Sequence, residues 1–316
     1  MPGFLSHYIA AQETLKNLAP FAAGEISQKI APAERMYNLG AQGPDIFFYC
    51  LPGIIRKRSR GVGVQMHQSD LGLFIARMAF AAKNSCEKEK PTLFAYTAGL
   101  VMHYMLDVHA HPYVYAQTHK EGASKLKNSA SHRQFETAVD TALLQQVMSQ
   151  TPADYHQWQL IDAEPAQLTA AATAASRALM QVYGRHIPPQ KVYQAMRHMV
   201  GLTRLLRSRK GRRKKWMALA ENLTVREPIF SSMVHNQQET GRDYLNICEH
   251  DWTPPWEGAK TRRNTFVELY YNAVEEGIDI IKSLHGYVYE GKKLRNLVEK
   301  LGNRSLKTGL PVGGAL

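Results

Sequence analysis

Along most of the chain, apolar residues return at intervals of three and four, the spacing that puts them on one face of a helix. Phe74, Ile75 and Met78 form such a face in a stretch that Ser69 or Asp70 could cap and that would run to Lys83. Thr92–Asp107 is the most apolar segment and suits the centre of a bundle. Behind Ser131 as a candidate cap, His132–Met148 carries Phe135, Val139, Leu143 and Val147 as a stripe. Further helices are predicted over Pro2–Leu18, Pro165–Tyr183, Gln190–Leu206, Met217–Leu223, Thr265–Leu284 and Glu290–Leu301. Pro and Gly break Ala31–Ile54 into loop with a short helix at most, and Glu249–Gly258 reads as loop. Convincing period-two runs are missing, so the expectation is an all-α, multi-helix bundle. Residues 1–150 would form its core, residues 151–308 a helical remainder packed on it, and 309–316 a flexible tail.

The polar residues that interrupt this pattern carry the chemistry. His103 and Asp107 lie four apart inside the most apolar segment, on one face of a helix, and His111 follows one turn on. A buried imidazole and carboxylate need partners, which a His–Asp ion pair or shared metal ligation would both supply. His132 and Glu136 repeat the spacing, where the alternative is a solvated pair. Pro112 is expected to end the helix and turn His111 toward a neighbouring site. His109 falls off the 103/107 face. Asp45 sits in Gly43-Pro44-Asp45, a stiff turn that could project a carboxylate into a site or merely cap a helix. His67 is expected just before a helix, and His7 within the first one. Tyr8, Phe47, Phe48, Tyr49 and Tyr104 could wall such a site or belong to the core.

Composition narrows the class. The chain has 316 residues, 44% of them hydrophobic, which is enough for a sizeable core. Cys50, Cys86 and Cys248 are scattered and offer no disulfide framework, which fits a reducing compartment. The start, Met-Pro-Gly-Phe-Leu, does not read as a secretory signal. No apolar stretch reaches the roughly 20 residues of a transmembrane helix, so a cytoplasmic location is the expectation. The net charge of +12 is largely local. Arg204, Arg207, Arg209, Lys210, Arg212, Arg213, Lys214 and Lys215 fall in one run, and without those eight it would be +4. That run could meet anionic membrane or nucleic-acid phosphates, or remain a solvated loop.

Taken in order, His7, Gly43-Pro44-Asp45, His67, His103-Tyr104-Met105-Leu106-Asp107, His111, and His132 with Glu136 resemble the zinc-dependent phospholipase C family. That family shares its all-α fold with three-zinc single-strand nucleases, and the resemblance covers about residues 1–140. It implies up to three Zn²⁺ ions. One would be held by Asp45, His67, His103 and Asp107; a second by His7 with Asp107 as a bridge; the third by His111, His132 and Glu136. In secreted members the N-terminal amine completes the second site, whereas this chain begins Met1-Pro2. The resemblance also implies a phosphodiester substrate such as a phospholipid, with Asp45 accepting the proton of an activated water.

Two functions follow from different classes. The first is a zinc-dependent phosphoric-diester hydrolase, phospholipase C-like, using a metal-activated water. The second is a non-catalytic, metal-stabilised helical protein that docks to membrane or nucleic acid through Arg204–Lys215. Gly-rich phosphate loops and Gly-x-Ser-x-Gly elbows do not occur, which leaves no competing machinery.

Overall fold

The structure, a computed structural model, describes residues 3–18, 25–49, 54–120, 122, 124–207, 212–224, 231–239, 241–258 and 260–313. It is all-α, and among the described residues only two isolated β-bridges occur, Trp252 with Arg262 and Arg304 with Pro311. The helices are α1 (Phe4–Leu18), α2 (Glu25–Ile30), α3 (Glu34–Gly40), α4 (Ile54–Gln68), α5 (Leu71–Lys83), α6 (Lys90–Thr118) and α7 (Lys125–Leu143). They continue as α8 (Gln157–Ile161), α9 (Pro165–Tyr183), α10 (Pro189–Leu206), α11 (Arg212–Thr224), α12 (Phe266–Tyr289) and α13 (Leu294–Leu301). None is long and apolar enough to cross a membrane. Met1, Pro2 and Cys50 lie outside the described residues, as do Arg209 and Lys210 of the basic run and the side chains of Arg212 and Arg213.

The apolar segment around Leu93–Leu106 becomes the axis of the molecule. From α6, Phe94, Ala98, Val101, Met105 and Leu106 are completely or almost completely buried, and α3, α5 and α12 pack along it. Apolar side chains from every helix except α11 join it in one core, and a small second cluster of Leu202, Leu206 and Val234 takes Met217 of α11. Where α3 crosses α6 the backbones nearly touch. A Cβ on Gly99 would collide with the Tyr37 carbonyl, and one on Gly40 with the Tyr96 carbonyl. The bare glycines let α3 lie close, and its end delivers Ala41 and the Gly43–Phe47 turn to the middle of α6.

Four local expectations are corrected or refined. First, α6 does not stop near Pro112 but runs through it to Thr118. An internal proline costs about 3 kcal/mol. Tyr113 and Val114 beyond it are 1% and 0% exposed, and burying such side chains stabilises by about 1.5–3 kcal/mol each, so packing outweighs the break. Second, α7 starts at Lys125 rather than behind Ser131; Ser124 is the cap, its hydroxyl accepting from Lys127 N at 3.2 Å. Third, His67 precedes α5 as expected, but it does so from the last turn of another helix, α4, rather than from a loop. Fourth, Asp70 occupies the N-cap position of α5 without capping it. Its backbone is left-handed (φ 61°), and its carboxylate accepts instead from Ser69 and Asn303. At α12 the capping box of Thr265 and Glu268 sets the start as expected, and the helix continues past Leu284 to Tyr289.

Candidate metal centre

Four pieces of chain converge beside the middle of α6. His7 comes from α1, Asp45 from the short turn after α3, His67 from α4, and His132 and Glu136 from α7. His103, Asp107 and His111 form one stripe on α6 itself, since residues four apart share a face. Two turns at 1.5 Å per residue separate His103 from His111 by about 12 Å, so one straight stripe serves both ends of the site. A turn of the chain at Pro112 is not needed.

The eight side chains fall into three groups, each with ligand atoms within 4.8 Å of one another: His7, His103 and Asp107; Asp45, His67 and His103; and His111, His132 and Glu136. Asp107 lies among four imidazoles. Its Oδ1 is 3.3 Å from His7 Nε2, and its Oδ2 is 3.1 Å from His103 Nε2, 3.8 Å from His67 Nε2 and 3.8 Å from His111 Nδ1. Asp45 Oδ1 is 3.3 Å from His67 Nε2. In the third group Glu136 Oε1 is 2.7 Å from His132 Nε2 and 4.0 Å from His111 Nε2.

The orientation of the rings comes from backbone carbonyls. Nδ1 of His67 donates to Gly63 O (2.7 Å), that of His103 to Ala41 O (3.1 Å) and that of His111 to Leu306 O (2.6 Å). A carbonyl can only accept, so each Nδ1 carries the proton and each Nε2 presents its lone pair. Gly43, at φ +50°, passes so close to His103 that a Cβ there would collide with the ring. In the first turn of α1, just before His7, Leu5 N, Ser6 N and Ser6 Oγ donate to the buried Asp140 carboxylate (2.9, 2.9 and 2.5 Å), which also pairs with His235. That anchor places His7, whose ring stacks on His103 at 4.2 Å.

Electrostatics suit a cation. Burial pushes the imidazoles of His111 and His132 well below the ordinary histidine range, and burial with the neighbouring His103 lowers His7. Burial opposes charge on His103 too, but Asp107 outweighs it and raises that imidazole. Asp107 is held well below the usual carboxylate range: burial would raise it, and His111 and His103 prevail. His7 Nε2, Asp45 Oδ1, His103 Nε2, both oxygens of Asp107 and His111 Nε2 are buried and make no hydrogen bond. An unsatisfied buried polar group costs about 1–3 kcal/mol. Six such atoms aimed at common points fit metal ligation far better than mutual pairing. Imidazole and carboxylate together are a zinc-type donor set.

His109 stays off the site, as its position outside the 103/107 face implies, and some of the candidate wall aromatics also point elsewhere. His109 pairs with Glu276 on α12 (2.7 Å). Of the five candidate wall aromatics, Phe48 packs on the His67 ring (5.4 Å), whereas Tyr8 meets Tyr155 and the Tyr104 hydroxyl accepts from Arg304 N. The sequence pattern does not point to Tyr115 and Trp256, which wall the third group; Tyr115 lies 4.7 Å from the His132 ring and 5.4 Å from Trp256. Nor does it single out Asp140, although that residue continues the His132–Glu136 spacing by one turn.

No curated protein and no solved structure matches the chain. The family model of zinc dependent phospholipase C matches residues 6–180, more than half of the sequence and all eight candidate ligands. The chain therefore belongs to the zinc-dependent phospholipase C family.

Proposed function

We propose that the protein hydrolyses phosphodiesters in the manner of a phospholipase C, with His7, Asp45, His67, His103, Asp107, His111, His132 and Glu136 holding up to three zinc ions. The observation that carries this reading is the set of buried nitrogen and oxygen atoms of His7, Asp45, His103, Asp107 and His111 that make no hydrogen bond, five residues spread over three close groups of candidate ligands. Zinc bound there would offer positive charge to phosphate oxygens and acidify a water from pKa 15.7 toward about 7.

The chain's own groups do the rest. The Gly63, Ala41 and Leu306 carbonyls fix the tautomer of three imidazoles, so no ring must turn before binding metal. Burial keeps His111 and His132 neutral at neutral pH, which leaves their lone pairs available. Asp45, 5% exposed and with Oδ1 free of hydrogen bonds, would accept the proton of the attacking water. Phe48 and Tyr115 exclude bulk water from the two ends of the site.

A phospholipid is the substrate favoured over nucleic acid. In the basic run Arg204 stacks on Trp158, Arg207 bonds to His156, and Lys214 donates to Asn236, so these three are engaged within the fold. On the same stretch of chain Leu205, Trp216 and Leu219 are 62%, 71% and 54% exposed, and exposed apolar side chains close in sequence to Lys215 suit an anionic lipid surface better than a phosphate backbone.

Zinc analysis of purified protein, with hydrolysis of phospholipid vesicles, single-stranded DNA and a chromogenic phosphodiester, tests the proposal. Asp45→Asn should lower kcat by about 10²–10⁴-fold. Metal without Asp45-dependent hydrolysis of any of the three would leave the non-catalytic alternative, and faster cleavage of DNA than of vesicles would reverse the choice of substrate.

A further inference from the structure

Residues 303–312 follow α13 and lie far beyond the segment that the family match covers. They form a tight turn: Ser305 N donates to Leu310 O (2.9 Å), Gly309 N to Ser305 O (2.8 Å) and Val312 N to Asn303 O (2.8 Å). The expected tail from residue 309 is thus tied at least as far as Val312. This turn lies directly across two of the candidate ligands. We propose that it is a strap that positions the metal centre, holding His111 by its ring and His67 by its backbone. The proposal rests on the zinc reading above.

The contacts are specific. Leu306 O accepts from His111 Nδ1 at 2.6 Å, the shortest of the three imidazole–carbonyl bonds in the site. Leu306 itself is completely buried, so its side chain fixes the carbonyl's place. One residue to either side, Ser305 Oγ and Lys307 N both donate to His67 O at 3.3 Å. Asn303 exchanges two hydrogen bonds with Asp70 (3.0 and 3.1 Å), the left-handed residue three places after His67. A non-glycine residue in that conformation persists only where its surroundings hold it, and the strap is what holds it.

Pro112 explains why the strap lies where it does. It has no N–H for the carbonyl of Val108, four residues earlier in α6, so that carbonyl is left open beside His111. Gly309 passes over it at φ +69°. A Cβ at Gly309 would sit 2.5 Å from Val108 O and 3.4 Å from Pro112 Cγ. The proline that the helix absorbs thus opens a berth for the segment that orients its neighbour. Because one strap touches both His111 and His67, it links the third ligand group to the Asp45 group.

Two variants leave every ligand intact: Gly309→Val, which cannot seat over Val108, and a chain ending at Gly302. Each is compared with wild type for zinc per chain and zinc affinity, for the visible spectrum of the Co²⁺ form, and for helical circular dichroism. Orienting partners of a ligating histidine typically hold 10–100-fold in metal affinity. The expected result is unchanged helicity, about that loss of affinity at one zinc equivalent, and an altered Co²⁺ spectrum. If both variants load zinc as wild type does with the same spectrum, the strap is a bystander. If either loses its helical signal at saturating zinc, the strap is a general folding element and the proposal fails as well. Wild type that takes up no zinc would overturn the zinc reading itself, a result distinct from equal loading of all three proteins.

Discussion

The segment from His7 to Glu136 and the segment beyond Tyr183 both build the candidate metal centre, but with different parts of the chain. The first contributes side chains: His103, Asp107 and His111 stand on one buried stripe of α6, and Asp45, His67, His7, His132 and Glu136 close around it. The second contributes backbone and pressure. Its strap offers the Leu306 carbonyl to His111, Trp256 walls the third group against Tyr115, and α12 fills the other flank of α6. The candidate ligands are thus concentrated in the family-matched segment, while their orientation is shared with a part that the family model does not reach.

The sharpest test of the ligand-bearing segment is Asp107→Asn. Two carboxylate oxygens face His7 and His103 separately, so an amide in their place should remove two zinc equivalents and leave the one at His111, His132 and Glu136. Hydrolysis should fall by about 10³-fold or more, the scale on which removing one charge-stabilising group acts. Metal analysis that found only one equivalent missing would mean that Asp107 serves one ion and does not bridge two. Next in size is Gly43→Ala, which replaces no ligand. The new methyl would collide with the His103 ring at a left-handed backbone position, and strain of this kind costs about 1–3 kcal/mol. Thermal unfolding should shift down, with weaker zinc binding at the Asp45–His67–His103 group. An unshifted midpoint with unchanged zinc affinity would show that the turn moves aside freely and that Gly43 does not position His103.

This division of labour also explains what is legible in the sequence. Side-chain ligands announce themselves by type and spacing, so His103–Asp107 and His132–Glu136 stand out on their helices from residue order alone. The apolar stripes likewise mark α5, α6, α9, α10 and α12, because burial along one face leaves a periodic trace. A carbonyl has no such trace. Every residue type carries the same carbonyl oxygen, so the identities of Ala41, Gly63 and Leu306 do not reveal the orienting layer in the sequence. The helix ends are illegible for a related reason. Pro112 and Ser131 carry strong local signals, but the packing of Tyr113 and Val114 overrides the first and the contacts of α7 override the second. Local preference loses wherever several buried side chains favour another course.

The smallest expected effect concerns the joint between the two segments. Glu276 on α12 accepts from His109 on α6 (2.7 Å) and from Arg304 of the strap, so one carboxylate ties all three. Burial would raise its pKa, but the hydrogen bonds of His109 and Arg304 prevail and bring it from 4.5 down to about 2. The folded pKa lies below the unfolded one, so the ionised group stabilises the fold above 4.5. That contribution declines as pH falls from 4.5 toward about 2 and is gone below it. The side chain is one-third exposed, so solvent screens the pair and the gain is modest. At neutral pH Glu276→Gln should lower the melting temperature by about 2 °C, the shift expected of less than about 1 kcal/mol in a chain of this size. The gap between variant and wild type should hold steady above about pH 5 and close by about pH 2. A gap that stayed open in acid would assign the joint to packing rather than charge. Should the gap instead be absent at every pH, α12 and the strap would hold α6 through Leu306 and the core alone, and the shared carboxylate would be incidental to the site.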